Sequence, residues 1–268
     1  MFKSNDFKGV DICYHYDGSF YGMLSCVFES FEKKEIPIQV TSDGFSLFAI
    51  KYIETDEIKA KRILSAVPEK ISREALNYVK LCYLTNIDSK EVALIHFLKE
   101  GFDFGAKFIQ HIKTGFTPSR RIIAGALENI HLNKMQKGID LLTLESQRFI
   151  QFVRFSDVNG VLVSIIEPEN NVLPLMADHF TARFPNEQFL IYDKTHRLGL
   201  VYANRQTRLE HIDSYEMPEL SRQEKDCQDL WRLFYDTIAI EERRNERCRM
   251  NFMPKKYWKN MTEFLNRN

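Results

Sequence analysis

His179 and Arg183 stand four residues apart in the run NVLPLMADHFTARFP, Asn171 to Pro185. On a helix that spacing puts an imidazole and a guanidinium on one face. Such a pair can hold a phosphate or move a proton; it equally suits a surface histidine with purely structural neighbours. Asp193 and Arg197, in a nearby turn, are candidates to complete the site. A second constellation is Glu145-Ser146-Gln147-Arg148-Phe149 followed by Arg154. There a carboxylate lies beside guanidinium groups, as an ion pair or as an acid/base with a phosphate clamp. Glu145 and His179 are therefore the catalytic candidates, with Arg148, Arg154 and Arg183 as phosphate ligands. The third constellation is the most distinctive. From Arg243 to Lys259 there are seven basic residues (Arg243, Arg244, Arg247, Arg249, Lys255, Lys256 and Lys259) and one acid, Glu246, with Phe252, Tyr257 and Trp258 interleaved. Cations neutralise phosphates, and aromatic faces stack on unpaired bases for about 1–3 kcal/mol each. The other reading has this tail docking on the core through Phe252, Met253 and Trp258 with its basic face in water. Finally, Tyr14 to Gly22 (YHYDGSFYG) reads as a strand running into a helix, where backbone N–H groups converge. That suits an anion or simply a capped turn.

The absent motifs matter as much. There is no G-x-x-x-x-G-K-[ST], no G-x-G-x-x-G, no G-x-S-x-G and no H-E-x-x-H, so the common nucleotide, hydrolase and zinc-protease signatures are missing. The seven histidines show no close metal-ligand spacing, and the five cysteines (13, 26, 82, 227 and 248) contain no C-x-x-C pair. No metal and no cofactor is expected. Most of the thiols read as buried packing groups.

These residues have to be positioned by identifiable elements. Val10–Tyr16 and Phe45–Ile53 read as strands, with a helix from Ser19 to Phe31 between them. Thr55 is placed to cap a helix that stops at Pro68; further helices run from Ser72 to Leu84 and from Ser89 to Lys99. Gly101 to Gly105 and Thr114 to Pro118 read as breaks, and Ser119–Phe149 as one long helix. Phe149–Phe155 and Val161–Ile166 then read as strands joined at Asn159-Gly160, a strong hairpin signal. A helix over Val172–Phe184 precedes three short strands near 187–192, 199–202 and 206–212. Ser221 caps a long helix that ends near Arg244-Asn245. The pattern is α+β: N-terminal strands and helices, a helical middle, then an antiparallel meander closed by a long C-terminal helix. The later strands are too close in sequence for helical crossovers. Residues 1–268 read as one family domain, with a subdivision into 1–148 and 149–268.

Thirty-seven basic and 37 acidic side chains give zero net charge, which excludes a uniformly basic binder. The charge alternates by segment, however: net −5 over 1–57, +6 over 58–148, −4 over 149–220 and +3 over 221–268. Solvated helix faces account for the basic segments, and so does a phosphate-binding surface. No h-region opens the chain and no apolar run is long enough to span a bilayer, so a cytoplasmic protein without membrane contact is expected.

The stretches YDGSFYGMLSCVFESF (16–31), TDEIKAKRI (55–63), RFIQFVRF (148–155), IEPENNVLPLMADHFTARFPNEQFLIYDKTHR (166–197), LWRLFYDTIAIEERRN (230–245) and NFMPKKYW (251–258) resemble a bacterial domain-of-unknown-function family described as "probable DNA metabolism protein". The likeness covers essentially the whole chain. It implies DNA as ligand, a DNA modification/repair radical-SAM protein as partner, and relatives fused to uracil-DNA-glycosylase-like domains. It carries no activity. Gln147 and Gln151 stand where relatives often have His and Gly, which weakens a catalytic reading of that segment. No C-x-x-x-C-x-x-C occurs, so the chain would be an accessory rather than the radical enzyme. The resulting expectation is a DNA metabolism or repair accessory that binds nucleic acid. Its phosphate and base ligands would be Arg148, Arg154, Arg183, Arg243, Arg244, Lys255, Lys256, Tyr257 and Trp258. Two alternatives stay open: an enzyme on nucleic acid or nucleotide using Glu145 or His179, and a non-catalytic protein–protein scaffold.

Overall fold

Cys13 and Tyr14 are adjacent in sequence and both fully buried, so the strand that carries them is covered on both faces. That strand is β1 (Lys8–His15), the centre of a three-stranded parallel sheet in the order β2-β1-β3, with β2 at Glu35–Thr41 and β3 at Ala49–Tyr52. The computed structural model describes residues 7–109, 130–238, 240 and 245–264. The chain divides into two compact units, residues 1–141 and 142–268.

In the first unit, α1 (Phe20–Lys33) buries Met23, Leu24, Cys26, Val27 and Phe31 at helical spacing. Its N-terminus is closed internally. Ser19 Oγ accepts from Gly22 N at 2.9 Å, and Asp17 Oδ1 accepts from Ser19 N and Ser19 Oγ at 2.9 and 2.7 Å. The second Asp17 oxygen accepts from Thr55 Oγ1 at 2.8 Å. The negative charge that a helix start favours is thus supplied by Asp17. Burial alone would raise the Asp17 carboxyl, but the hydrogen bonds from Ser19 and Thr55 hold it below its ordinary value. Gly22 has no room for a side chain, since a Cβ there would lie 2.1 Å from Asp17 Oδ1. Three further helices complete this unit: α2 (Glu57–Lys70), α3 (Arg73–Leu84) and α4 (Lys90–Phe104).

Several local expectations are corrected here. Asp56, not Thr55, caps α2, accepting from Ile58 N and Lys59 N. Pro68 lies inside the last turn of α2, where its missing N–H costs a single helical bond. Gly101 is helical because α4 passes close to Ile71 and Phe108 there; the break comes at Gly105, with φ of 65°. Strand β2, with Pro37 inside it, had no clear sequence signal.

The helix α5 (Ile130–Phe152) carries the division between the units. The expected helix over 119–129 lies outside the described residues. Phe149–Phe155 is not a strand: α5 runs through Phe152, because Phe149 and Phe152 share a helical side and both pack on Tyr257, at ring distances of 4.9 and 5.3 Å. The second unit then forms a five-stranded sheet in order: β4 (Ser156–Val158), β5 (Val161–Ile166), β6 (Gln188–Asp193), β7 (Leu198–Ala203) and β8 (Gln206–His211). Asn159 and Gly160 make the hairpin turn with φ of 53° and 86°. The α+β class stands, and three of the four pairings are antiparallel. The β5–β6 pair is parallel, joined across α6 (Leu173–Arg183) as a crossover. The C-terminal part contains α7 (Arg222–Thr237), which ends well before the expected Arg244-Asn245, then α8 (Glu246–Phe252) and a 3-10 turn at Lys255–Asn260.

His96 and His131, both in the first unit, stack with ring centroids 4.0 Å apart. Burial, then the neighbouring His131 and Lys99, push the His96 imidazole down to about 4. A histidine lowered on folding takes up its proton more readily in the unfolded chain. Its contribution to stability is therefore complete above its ordinary value of 6.5 and is lost as pH falls from there toward 4. Replacing His96 with Phe should remove roughly one proton from the linkage between pH 6.5 and 4. Urea unfolding of wild type and His96→Phe across that range measures it; parallel pH profiles would show that the stack has no such effect.

Candidate functional site

Leu173, Met176 and Phe180 are the buried positions of α6, at i, i+3 and i+7. His179 and Arg183 consequently lie on its exposed side, one turn apart. Both line a groove of the second unit, about 790 Å³ in volume. The end of α5 and the segment after it supply Ile150, Gln151, Val153, Arg154 and Phe155 to this groove; Leu162 of β5, Phe180 and Phe184 continue it, and Thr262 closes one side. Its opposite wall is α7, through Glu224, Cys227, Gln228 and Trp231. Phe155 meets Phe180 and Phe184 edge-on at 5.4 and 5.3 Å, and the Arg183 guanidinium lies 5.6 Å from the Phe184 ring.

The wall is held by polar anchors, since α7 buries no residue of its own. Ser221 caps it by accepting from Glu224 N at 3.1 Å. Gln228 Nε2 donates to Ser156 Oγ at 3.1 Å and to Glu224 Oε1 at 2.8 Å. Trp231 Nε1 donates to Glu263 Oε2 at 3.2 Å. Glu263, with 2% of its side chain exposed, also receives Arg154 Nε at 3.2 Å and Arg154 Nη2 at 2.7 Å. Arg154 Nη1 donates to the carbonyls of Gln151 and Val153, and its guanidinium lies 5.9 Å from the Trp231 ring. Arg154 borders the groove but spends its donors inside the protein.

Glu145 belongs to a different arrangement. Its buried carboxylate accepts from Glu169 N at 3.1 Å, Asn170 N at 2.9 Å, Asn170 Nδ2 at 2.8 Å and Lys256 Nζ at 3.3 Å. Burial would raise its pKa, but the donors from Asn170, Glu169 and Lys256 outweigh it and hold the carboxyl below the usual range. It is an ionised anchor for the loop after β5 and does not line the groove. Its ionic partner is Lys256, not Arg148. Lys256 also pairs with Glu169 at 2.9 Å, and Lys259 pairs with Glu167. Burial opposes the charge on Lys256, yet its hydrogen bond to Glu169 and the field of Glu145 raise its pKa. Arg148 interacts with Tyr257, whose phenol is raised chiefly by burial.

The tail aromatics are packing groups. Tyr257 is buried against Phe149 and Phe152, and Trp258 stacks on Phe264 at 4.5 Å while donating to Met253 O at 2.9 Å. Arg249 pairs with Glu246 and packs 4.8 Å from the Trp258 ring; Lys255 is exposed, 5.7 Å from the same ring. Arg243 and Arg244 lie outside the described residues. Asp193 is fully buried and holds His196 at 2.6 Å through Nδ1, while Arg197 is exposed in the following turn; neither lines the groove. The structure therefore brings His179, Arg183 and Arg154 to one place and leaves Glu145, Arg148 and the tail elsewhere. The α7 wall was missed, although Glu224, Cys227, Gln228 and Trp231 recur at i, i+3, i+4 and i+7, the signature of one helix face.

Chemically, the groove offers the Arg183 guanidinium and the His179 imidazole from α6, aromatic walls, and side chains with amide and carboxylate oxygens from α7. Among the described residues no group of His, Cys, Asp and Glu is arranged to hold a metal ion, and no helix is long and apolar enough to cross a membrane. Arg154→Ala should destabilise the protein by about 2–4 kcal/mol, because Glu263 is left charged and buried. Adding Glu263→Gln should recover part of that loss. Denaturant unfolding of the single and double variants measures both; equal stability of Arg154→Ala and wild type would remove the anchor role.

No curated protein and no solved structure matches the chain. A family model described as a domain of unknown function, DUF4130, matches residues 90–263. That span includes α5, the five-stranded sheet, α7 and every residue lining the groove. The chain belongs to the DUF4130 family.

Proposed function

We propose that this chain is a nucleic-acid-binding accessory protein of DNA metabolism, acting in the cytoplasm beside a radical-SAM DNA modification or repair protein. The DNA context and the partner come from the family resemblance alone. The binding reading is carried by one observation: the groove of the second unit joins the exposed pair His179 and Arg183 to the aromatic walls Phe155, Phe184 and Trp231. Cations meet phosphate there, and flat apolar rings meet bases. Within the tail, Arg249, Lys256 and Lys259 are already paired with carboxylates, which favours the groove as the seat of binding.

A second reading rests on α7. Leu230, Leu233 and Phe234, followed by Ile238, are 65%, 63%, 52% and 58% exposed, and they line one side of the helix. A docking face for the partner protein would use such a stripe, with or without nucleic acid. An enzymatic role for Glu145 draws no support from its four internal donors.

An electrophoretic shift over a salt series tests the binding reading. Affinity should fall measurably but modestly with salt, and Arg183→Ala should lower the slope of log affinity against log salt by about 1. An affinity that does not change with salt would overturn it. Under the docking reading, Leu233→Asp abolishes co-purification with the radical-SAM protein and leaves the DNA shift unchanged.

A further inference from the structure

We infer that the groove takes an unpaired nucleobase, so that single-stranded nucleic acid binds there and intact duplex does not. This deepens the nucleic-acid reading above and rests on it.

Charge is the first argument. A protein that tracks duplex DNA needs cations spread along the backbone path. Here the groove rim carries one permanent cation, Arg183, with the His179 imidazole one helical turn away, enough for about one phosphate. The neighbouring Arg154 is committed to Glu263 and to two backbone carbonyls. Electrostatics at this site is therefore short in reach, and most of the affinity has to come from buried surface.

Shape is the second. A volume of about 790 Å³ is in the range of sites that enclose a small ligand. It has room for a base with its sugar, whereas in a double helix the bases present their faces to each other and not to a protein. The aromatic walls complement a flat ring, and Trp231 is 40% exposed with its indole plane fixed by the hydrogen bond to Glu263.

The polar wall is the third. Both hydrogens of the Gln228 amide are used, on Ser156 and Glu224. Glu224 accepts only, so the Gln228 nitrogen must face it and the amide oxygen is left as an acceptor. Gln228 and Glu224 both line the groove and both carry acceptor oxygens, which suits the N–H groups on the edge of an unpaired base. In a duplex those groups are occupied by the opposite strand.

Cys227 gives a direct readout. It lines the groove and is exposed; Cys248 is the other exposed thiol, while Cys13, Cys26 and Cys82 are buried. In full-length protein carrying Cys248→Ser, the rate of Cys227 alkylation is measured with a mixed-sequence single strand of about 12 nucleotides and with the same strand annealed to its full complement as a blunt duplex. The single strand should slow alkylation about tenfold or more at saturation and the blunt duplex should not. Trp231→Ala should weaken single-strand binding about tenfold, and Trp231→Phe, which keeps a ring, should restore most of it. If single strand and duplex bind alike and neither shields Cys227, the base-binding inference fails while the nucleic-acid reading survives. If neither binds at any salt concentration, both fail.

Discussion

Glu263 is a carboxylate with almost no exposed side chain, and an ionised group in that position is tolerable only when donors converge on it. Two come from Arg154 and one from Trp231. Arg154 follows α5, Trp231 sits midway along α7, and Glu263 lies near the end of the described chain. One buried charge therefore ties three remote segments together. The tie matters most for α7, which has an exposed apolar stripe and no buried residue to hold it. Gln228, Arg232 and the contact of Tyr235 with Phe264 help to place the wall carrying Glu224, Cys227, Gln228 and Trp231. Glu145 repeats the principle nearby, drawing in the loop at Glu169-Asn170 and Lys256.

This use of carboxylates changes the meaning of the charge pattern. The positive balance of residues 221–268 invites a picture of a basic tail reaching for phosphate. In the folded unit much of that charge is absorbed: Lys256 by Glu145 and Glu169, Lys259 by Glu167, Arg249 by Glu246, and Arg232 by Asp229 and a backbone carbonyl. The acidic balance of 149–220 is its counterpart, since Glu167 and Glu169 belong to that segment. Zero net charge arises here partly from pairs that close between neighbouring segments. Among the described residues Arg183 shows no carboxylate partner, and it packs on Phe184, which makes it the more informative cation.

The sequence was legible where structure is local. Asn159-Gly160 specifies a hairpin turn, Ser19 and Ser221 cap the helices they precede, and the α6 pattern separates the buried Leu173, Met176 and Phe180 from the exposed His179 and Arg183. It misled where two periods coincide. FIQFVRF has apolar residues at both helical and alternating spacing, and the choice is made by Tyr257, more than a hundred residues on, which packs on Phe149 and Phe152 together. The parallel pairing of β5 with β6 was hidden for a related reason: the strand runs were visible, but their direction depends on α6 crossing back over the sheet. For the site, spacing identified one rim. The other rim and the true partners of Arg154 and Glu145 are contacts across long sequence separations, and no local pattern encodes them.

The same contacts bear on binding against catalysis. A carboxyl acid that works near neutral pH has to be raised by an apolar, donor-poor setting. Glu145 is buried, but the donors around it hold its carboxyl below the usual range. Glu263 is buried and engaged by Arg154 and Trp231. Both hold architecture. Asp193 and His196 form a close pair, yet they lie in the β6–β7 turn and outside the groove. His179 is in the groove, on an exposed helix face against the Phe180 ring, and among the described residues no carboxylate is paired with its imidazole. Under the proposed reading, what the groove offers a ligand is surface and orientation: flat rings, a guanidinium and an imidazole from α6, and side chains with acceptor oxygens from α7. Such a set suits a planar, anionic, hydrogen-bonding ligand, and recognition of that kind is physically distinct from the placing of a raised carboxyl acid beside a reacting bond.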